Sequence, residues 1–497
     1  MKKIFIYISI LSIFLISCQK DFLEVKSSTR IASNEAITSM NDLKNAVFGA
    51  YNNLTGSTLY GGRLQLMADL MAEDFYNPKT SSGHLDSYYD YGWTQISGNS
   101  ALYSGLYYLI ADINDVLVRA SKLSVAEAEK MIYDDYIAQL KSLRALAHLN
   151  ICMFFAPLHA NLGHGAIKED ALGIQIVTEL FDNPFGEWKR NTVKEVYSFV
   201  VKEFKEAIPL LSDSKRNGLL NKYGVEALLA RTYLYMNDMD NAYKYAKDVI
   251  ENGGYALIER DVYIDSWKEA YTTESIFELA TSPDDNAGIN GIGYYVYSDG
   301  EKEGYKEVAA TKDFIDIVNA DPNDVRLQLI VPVAEKSYSN KLYYYPIKKY
   351  PGREDMFTNN PKVVRLSEMY LIASESALGK TNPNAEEAAQ FLNKIRKRRT
   401  TTTPEKYNAA SIDIDDIMYE RRVELFCKGH RFWDMKRLRR DIVRHKNLAE
   451  KEDKEHTDAT DGIIEFDWFK CIYPIPEREL KLIKDVSKWK DLQNPGY

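Results

Sequence analysis

The stretch "YGVEALLARTYLYMNDMDNAYKYAKDVIENG", Tyr223 to Gly253, decides how the chain is built. Its apolar residues recur at three- and four-residue steps, first up to Met236 and again from Met239, the pattern of two consecutive amphipathic helices. Ala230 and Tyr233 lie on the first and Ala242 and Ala246 on the second. Small residues at such positions let two antiparallel helices approach closely, so the stretch predicts a helix pair used as a building block.

The small and aromatic positions are those of a tetratricopeptide unit of about 34 residues. "LSEMYLIASESALGKTNPNAEEAAQFLNKIRKRR", Leu366 to Arg399, is a degenerate second copy with Asn382-Pro383-Asn384 as its break, and helices around Ala145 and Ala147 supply another. Such units bury their faces only against neighbours, which predicts a right-handed helical-repeat scaffold and a mostly α fold. Other helical patterns start at Met40, Ala101, Tyr136 and Thr192. The texture changes between Gly253 and about Gly352, where "GINGIGYYVYSDGEKEGY" and "KLYYYPIKKYPG" predict long loops, short strands and a few helices. Ordered loops mounted on a rigid scaffold are where binding sites usually sit.

At the N-terminus, Lys2 and Lys3 precede the apolar run "IFIYISILSIFLIS" and Cys18, which predicts a signal peptide over residues 1–17. The run is shorter than the roughly 20 residues of a spanning helix. Leu15-Ile16-Ser17-Cys18 is similar to a bacterial lipobox, which makes Cys18 the expected acylation site and residues 18–33 an anchor and tether. The chain carries a net charge of −9, and loss of Lys2 and Lys3 with the signal makes the remainder about −11. That balance argues against nucleic acid as a partner. Cys152, Cys427 and Cys471 are an odd set scattered along the chain, so they read as small buried hydrophobes and not as a disulfide framework.

"ERRVELFCKGHRFWDMKRLRRD", Glu420 to Asp441, gathers Glu424, Cys427, His430 and Asp434 among arginines and so invites a catalytic or metal reading. Helical spacing offers a plainer one: Arg421 to pair with Glu424, Lys436 and Arg437 beside Asp434, Gly429 as a helix stop, and Phe432 and Trp433 as core plugs. His159 and His164 are the closest histidine pair, yet no metal-binding spacing accompanies them. No GxSxG elbow, P-loop or GxGxxG segment occurs, so no catalytic residue, metal or cofactor is assigned. Two unrecognised acids could still make a glycan hydrolase.

Tyrosine is abundant, at 35 residues, and it clusters. "DSYYDYGW", Asp86 to Trp93, sets rings among Ser, Asp and Gly and leads into "TQISGNS". Flat rings beside acids and amides suit a carbohydrate, whose C–H face stacks on the ring while its hydroxyls are hydrogen-bonded. The competing reading is that these rings close a core or line a protein interface. The candidate ligand contacts are Tyr88, Tyr91, Trp93 and Asn99, followed by Tyr294, Tyr295 and Tyr297.

Taken together, "SCQKDFLEV", "ALYSGLYYLIADIN", "RALAHLNICMFFAPL" with "GIQIVTE", "VVRLSEMYLIASESAL", "ERRVELFCKGHRFWDMKRL" and the ending "YPIPERELKLIKDVSKWKDLQNPGY" resemble the SusD/RagB family from Cys18 to Tyr497. The resemblance implies one SusD-like domain over residues 34–497, with the repeat scaffold in 34–250 and 361–440 and ligand-facing insertions at about 60–100 and 253–360. It implies a non-catalytic lipoprotein of the outer-membrane surface that hands oligosaccharides, or peptides in the RagB branch, to a SusC-like TonB-dependent transporter. It also implies that Glu420 to Asp441 is a fold signature. The family's ligand contacts lie in variable loops, so only Cys18 carries over by position.

Overall fold

The computed structural model describes residues 37–497 except 79–82, 98, 181–188, 300, 332–334, 337–342, 356, 445–461 and 484. The predicted signal, Cys18 and the predicted tether lie outside the described residues.

Ten helices are numbered here: α1 (Met40–Asn53), α2 (Ser100–Ala120), α3 (Lys130–Phe155), α4 (Val193–Ala207), α5 (Lys222–Met236), α6 (Met239–Asn252), α7 (Leu366–Gly379), α8 (Ala385–Arg396), α9 (Ile414–Glu424) and α10 (Arg431–Arg437). The fold is mostly helical, as the periodicity predicts. Helix packs on helix in the succession α2, α3, α4, α5, α6, α7, α8, and α1 lies across α2 and α3. Ala230, Ala242 and Ala246 are completely buried where α5 meets α6, and the Tyr233 and Tyr245 rings stack at 5.8 Å. Ala373, Ala377 and Ala388 serve the α7–α8 pair in the same way. Asn384, the last residue of the predicted break, caps α8 by accepting the Glu387 amide at 3.0 Å. Helix α5 is buried on every face, which is why its apolar residues wrap it instead of forming a stripe. Cys152, Cys427 and Cys471 are buried and unbridged.

The strands are short and paired antiparallel: β1 (Phe75–Tyr76) with β3 (Ala309–Ala310), β2 (Ser275–Glu278) with β6 (Lys362–Arg365), β4 (Glu335–Lys336) with β5 (Tyr343–Tyr344), and β7 (Ile442–Val443) with β8 (Ile463–Ile464). The β1–β3 pair fastens the segment near residue 75 to the irregular region near residue 310. The first insertion is not all loop. A short helix, Leu64–Leu70, is buried at every residue and packs on α10, since Leu64, Leu66, Met67 and Leu70 have no solvent face to occupy.

Glu420 to Asp441 builds the junction between scaffold and loops. Helix α9 stops at Glu424, and the chain turns through Cys427 at φ 52° and Gly429 at φ 74°. Phe432 and Trp433 are core residues, as expected. Glu424 does not pair with Arg421, however. Its carboxylate takes Arg399 at 3.0 Å, Arg365 at 2.9 Å and Arg326 at 3.3 Å, all from distant segments. Arg421 instead joins Arg437 on Asp434, each at 2.9 Å. Helical spacing identifies the residues that share a face; it says nothing of the long-range cations that reach that face first.

Candidate functional site

The two loop-rich insertions meet around one arginine. Arg63 sits just before the buried Leu64–Leu70 helix, and that anchoring fixes its backbone. The Gly61 carbonyl accepts the Ile292 amide at 2.9 Å, which brings the short helix Ile292–Val296 alongside and places Tyr294 and Tyr295 on it. Arg63 Nε then donates to the Tyr295 hydroxyl at 3.2 Å, and that hydroxyl donates to Asn290 Oδ1 at 3.2 Å. Tyr88 stands near enough to act on Arg63 electrostatically. Burial works against the guanidinium's charge, but the bond to Tyr295 and the nearby Tyr88 oxygen outweigh that and hold it above the ordinary arginine range.

A second line of contacts supports the rings. Glu307 accepts the Leu85 amide at 2.6 Å and lies 3.0 Å from His84 Nδ1, so a buried carboxylate orients the imidazole. Tyr305 lies 4.7 Å from Tyr294, 5.0 Å from His84 and 6.0 Å from Tyr295, and Phe357 stacks on Tyr294 at 5.4 Å. The chain reverses tightly here, with the Tyr305 amide donating to the Tyr294 carbonyl at 2.7 Å. A Cβ at Gly304 would stand 2.0 Å from that carbonyl oxygen, so this position demands glycine. Arg63, His84, Tyr294, Tyr305 and Phe357 are all part-exposed, whereas Tyr295 is buried behind them. The arrangement offers several ring faces at one surface with a cation and an amide beneath. It can stack on an apolar ligand face and donate to hydroxyls at its edge.

The sequence-predicted residues divide. Tyr88 and Tyr295, both buried, come together at Arg63 although their segments lie some two hundred positions apart, and Tyr294 joins the cluster through Tyr305. Tyr91, Trp93 and Asn99 belong to a different construction. Tyr91 is fully buried with its hydroxyl on the Met71 carbonyl at 2.5 Å, and Trp93 is buried between Tyr91 at 5.0 Å and Tyr473 at 4.5 Å. Trp93 Nε1 donates to the Tyr497 hydroxyl at 2.8 Å, and the Asn99 side chain lies near the Tyr473 hydroxyl. These three fasten the C-terminal segment to the core, and neither buried ring presents a face to solvent. Tyr297 is also buried, and it donates to Asp299 at 2.7 Å. Arg63, His84 and Phe357 are site residues that no aromatic cluster in the sequence marks; Tyr305 closes the quoted "GINGIGYYVYSDGEKEGY" run and could have been taken from it.

Comparison with known proteins gives the family. Residues 331–497 match the profile described as "SusD family", and residues 21–234 match one described as "Starch-binding associating with outer membrane". The chain belongs to the SusD family. A SusD superfamily protein from Bacteroides vulgatus has a solved structure that is 28% identical, with 93% of this chain and all of that one covered at a TM-score of 0.80. A SusD-like protein of Bacteroides ovatus is 22% identical over 487 residues, 88% of this chain and 82% of its own. At the level of fold alone, this SusD-family chain is also similar to the surface glycan-binding protein A of Bacteroides fluxus, at 20% identity, 93% and 100% coverage and a TM-score of 0.69.

Proposed function

We propose that this chain is a non-catalytic lipoprotein, held in the outer membrane by acylated Cys18, that captures oligosaccharides and delivers them to a SusC-like TonB-dependent transporter. The observation that carries the reading is the part-exposed cluster of Tyr294, Tyr305 and Phe357 set over the Arg63–Tyr295–Asn290 hydrogen-bond chain. Two more facts support it: one family profile is described as starch-binding, and a protein of the same fold carries glycan binding in its name. Glu307, the carboxylate behind the cluster, is engaged by Leu85 and His84, a supporting duty and not an acid–base one.

The test is calorimetry of the full chain, purified in detergent, against maltoheptaose, laminarihexaose and xylohexaose. The double variant Tyr294→Ala/Tyr305→Ala removes two ring faces while leaving the Arg63–Tyr295 bond in place. An aromatic face is worth about 0.5–1.5 kcal/mol beyond burial, so the loss of two is expected to lower glycan affinity by about 5- to 150-fold with the fold intact. Full affinity in a folded double variant would remove this site.

A further inference from the structure

Helix α1 has an outer face that its packing does not explain. Leu43, Val47, Ala50 and Tyr51 are buried on the inner side. On the outer side Phe48, Gly49 and Asn52, with the edge of the largely buried Tyr51, line a cavity of about 400 Å³, whose far wall is Asn217, Gly218, Ala280 and Asp285. The Phe48 ring is 42% exposed. A cavity of this size lies within the range of small-molecule sites.

Gly49 is the unusual residue. Glycine inside a helix destabilises it relative to alanine, and such a position usually answers to a close neighbour. Here a Cβ at Gly49 would meet nothing within 4 Å, so no contact within the chain requires the glycine. What the missing side chain does is leave room between Phe48 and Asn52, one helical turn apart.

The walls are preorganised. The segment holding Asn217 is pinned by Arg216 on Asp135 at 2.8 Å and by Asn221, which donates to the Asp213 and Ser214 carbonyls at 3.3 Å. Facing it, the Thr281 amide donates to Asn360 at 3.0 Å, and Asn286 donates to the Ser282 and Pro283 carbonyls at 2.8 and 2.9 Å. Asn52 accepts from Thr55 Oγ1 at 3.2 Å, which orients its amide. The lining holds an exposed ring, the Tyr51 edge, two amides and one carboxylate; Lys44 stands beside it, its Nζ 5.8 Å from the Phe48 ring centre, so one face of that ring is left for a neutral polyhydroxyl ligand.

The wall also runs on into the aromatic site. From Asp285 the same loop passes through Asn290, which accepts from Tyr295, to the helix carrying Tyr294. We infer that the α1 groove is a second glycan-binding subsite, which holds another segment of a long oligosaccharide or a second chain of the same polymer. The inference rests on the oligosaccharide reading above. Two subsites joined through one loop raise affinity for long ligands over short ones by making the second contact intramolecular.

The test compares the full-length wild type with Gly49→Leu, which fills the groove from an unobstructed position, and with Gly49→Ala as the fold control. Calorimetry is run against the tri- and heptasaccharide of whichever glucan the wild type binds, chosen from maltose- and laminaribiose-based series. Gly49→Leu is expected to weaken the heptasaccharide about tenfold and leave the trisaccharide unchanged, the loss of one stacking contact. Gly49→Ala is expected to raise the urea midpoint and keep most of the heptasaccharide affinity. Phe48→Ser, which empties the groove instead of filling it, is expected to give the same length-dependent loss. A folded Gly49→Leu protein with wild-type affinity at both lengths overturns the groove and leaves the aromatic site standing. A wild type that binds neither of these series nor xylohexaose overturns both.

Discussion

Glu424→Gln is expected to lower the free energy of unfolding by about 3–5 kcal/mol, the cost of breaking a buried ion network by removing one partner. The side chain is completely buried, and three guanidinium groups, Arg399, Arg365 and Arg326, converge on its two oxygens. Glutamine keeps the shape but offers one acceptor and no charge, which leaves three buried cations to share Glu274, Glu420 and Asp324. The network ties Glu274 just before β2, β6, the Arg326 segment, the segment after α8 and the end of α9 together, so its loss loosens the frame that carries the loops. Urea unfolding at neutral pH measures the effect, and a midpoint change equivalent to less than about 1 kcal/mol would show that the cations find other partners.

The same residue predicts a pH dependence. Burial would raise the Glu424 carboxyl, but the arginines outweigh it and hold it well below the ordinary carboxylate range. For Asp434, burial is likewise outweighed by Arg421 and Arg437, and its value is lowered to about 2. A carboxylate with a depressed folded value contributes stability that is complete above its unfolded value, about 4, and is lost as pH falls toward the folded one. Wild-type stability therefore declines between about pH 5 and pH 2, and Glu424→Gln flattens that slope.

Trp93→Ala is the second large effect. Removing a buried tryptophan costs about 3–5 kcal/mol through lost burial and the cavity left behind. Here it also removes the Nε1–H bond to Tyr497, whose hydroxyl in turn donates to the Ile472 carbonyl at 2.9 Å, so the last residues lose their clasp. Glycan affinity of the folded fraction is expected to stay at the wild-type value, because the ring faces Tyr91 and Tyr473 and not solvent. Calorimetry well below the lowered melting temperature separates the two roles. A stable Trp93→Ala protein that has lost glycan binding would make this ring a ligand platform after all.

The sequence reached further on the scaffold than on the site, and the reason is physical. Helix pairs are written in spacing and small residues, as at Ala230, Ala242 and Ala246, because their contacts are local. The aromatic clusters look alike in one dimension. "DSYYDYGW" and "GINGIGYYVYSDGEKEGY" both read as platforms, yet the first sends Tyr91 and Trp93 into the core and the second sets Tyr294 and Tyr305 at the surface. What separates them is a partner such as Tyr497, 404 positions from Trp93, and no local pattern shows that. Arg63 was equally hidden, a single cation after two glycines until Tyr88 and Tyr295 close on it. Glu424 shows the same limit in the core: the charges were visible, the pairing was not.

Oligosaccharide is proposed to bind this chain through the Tyr294–Tyr305–Phe357 surface. Calorimetric titration of the full chain with α- and β-linked oligosaccharides, set against a mixed peptide pool, tests it most directly. Saturable heat from one glycan class, abolished by Tyr294→Ala/Tyr305→Ala and absent with peptides, is the expected result. Silence on every glycan together with saturable heat from the peptides would contradict it.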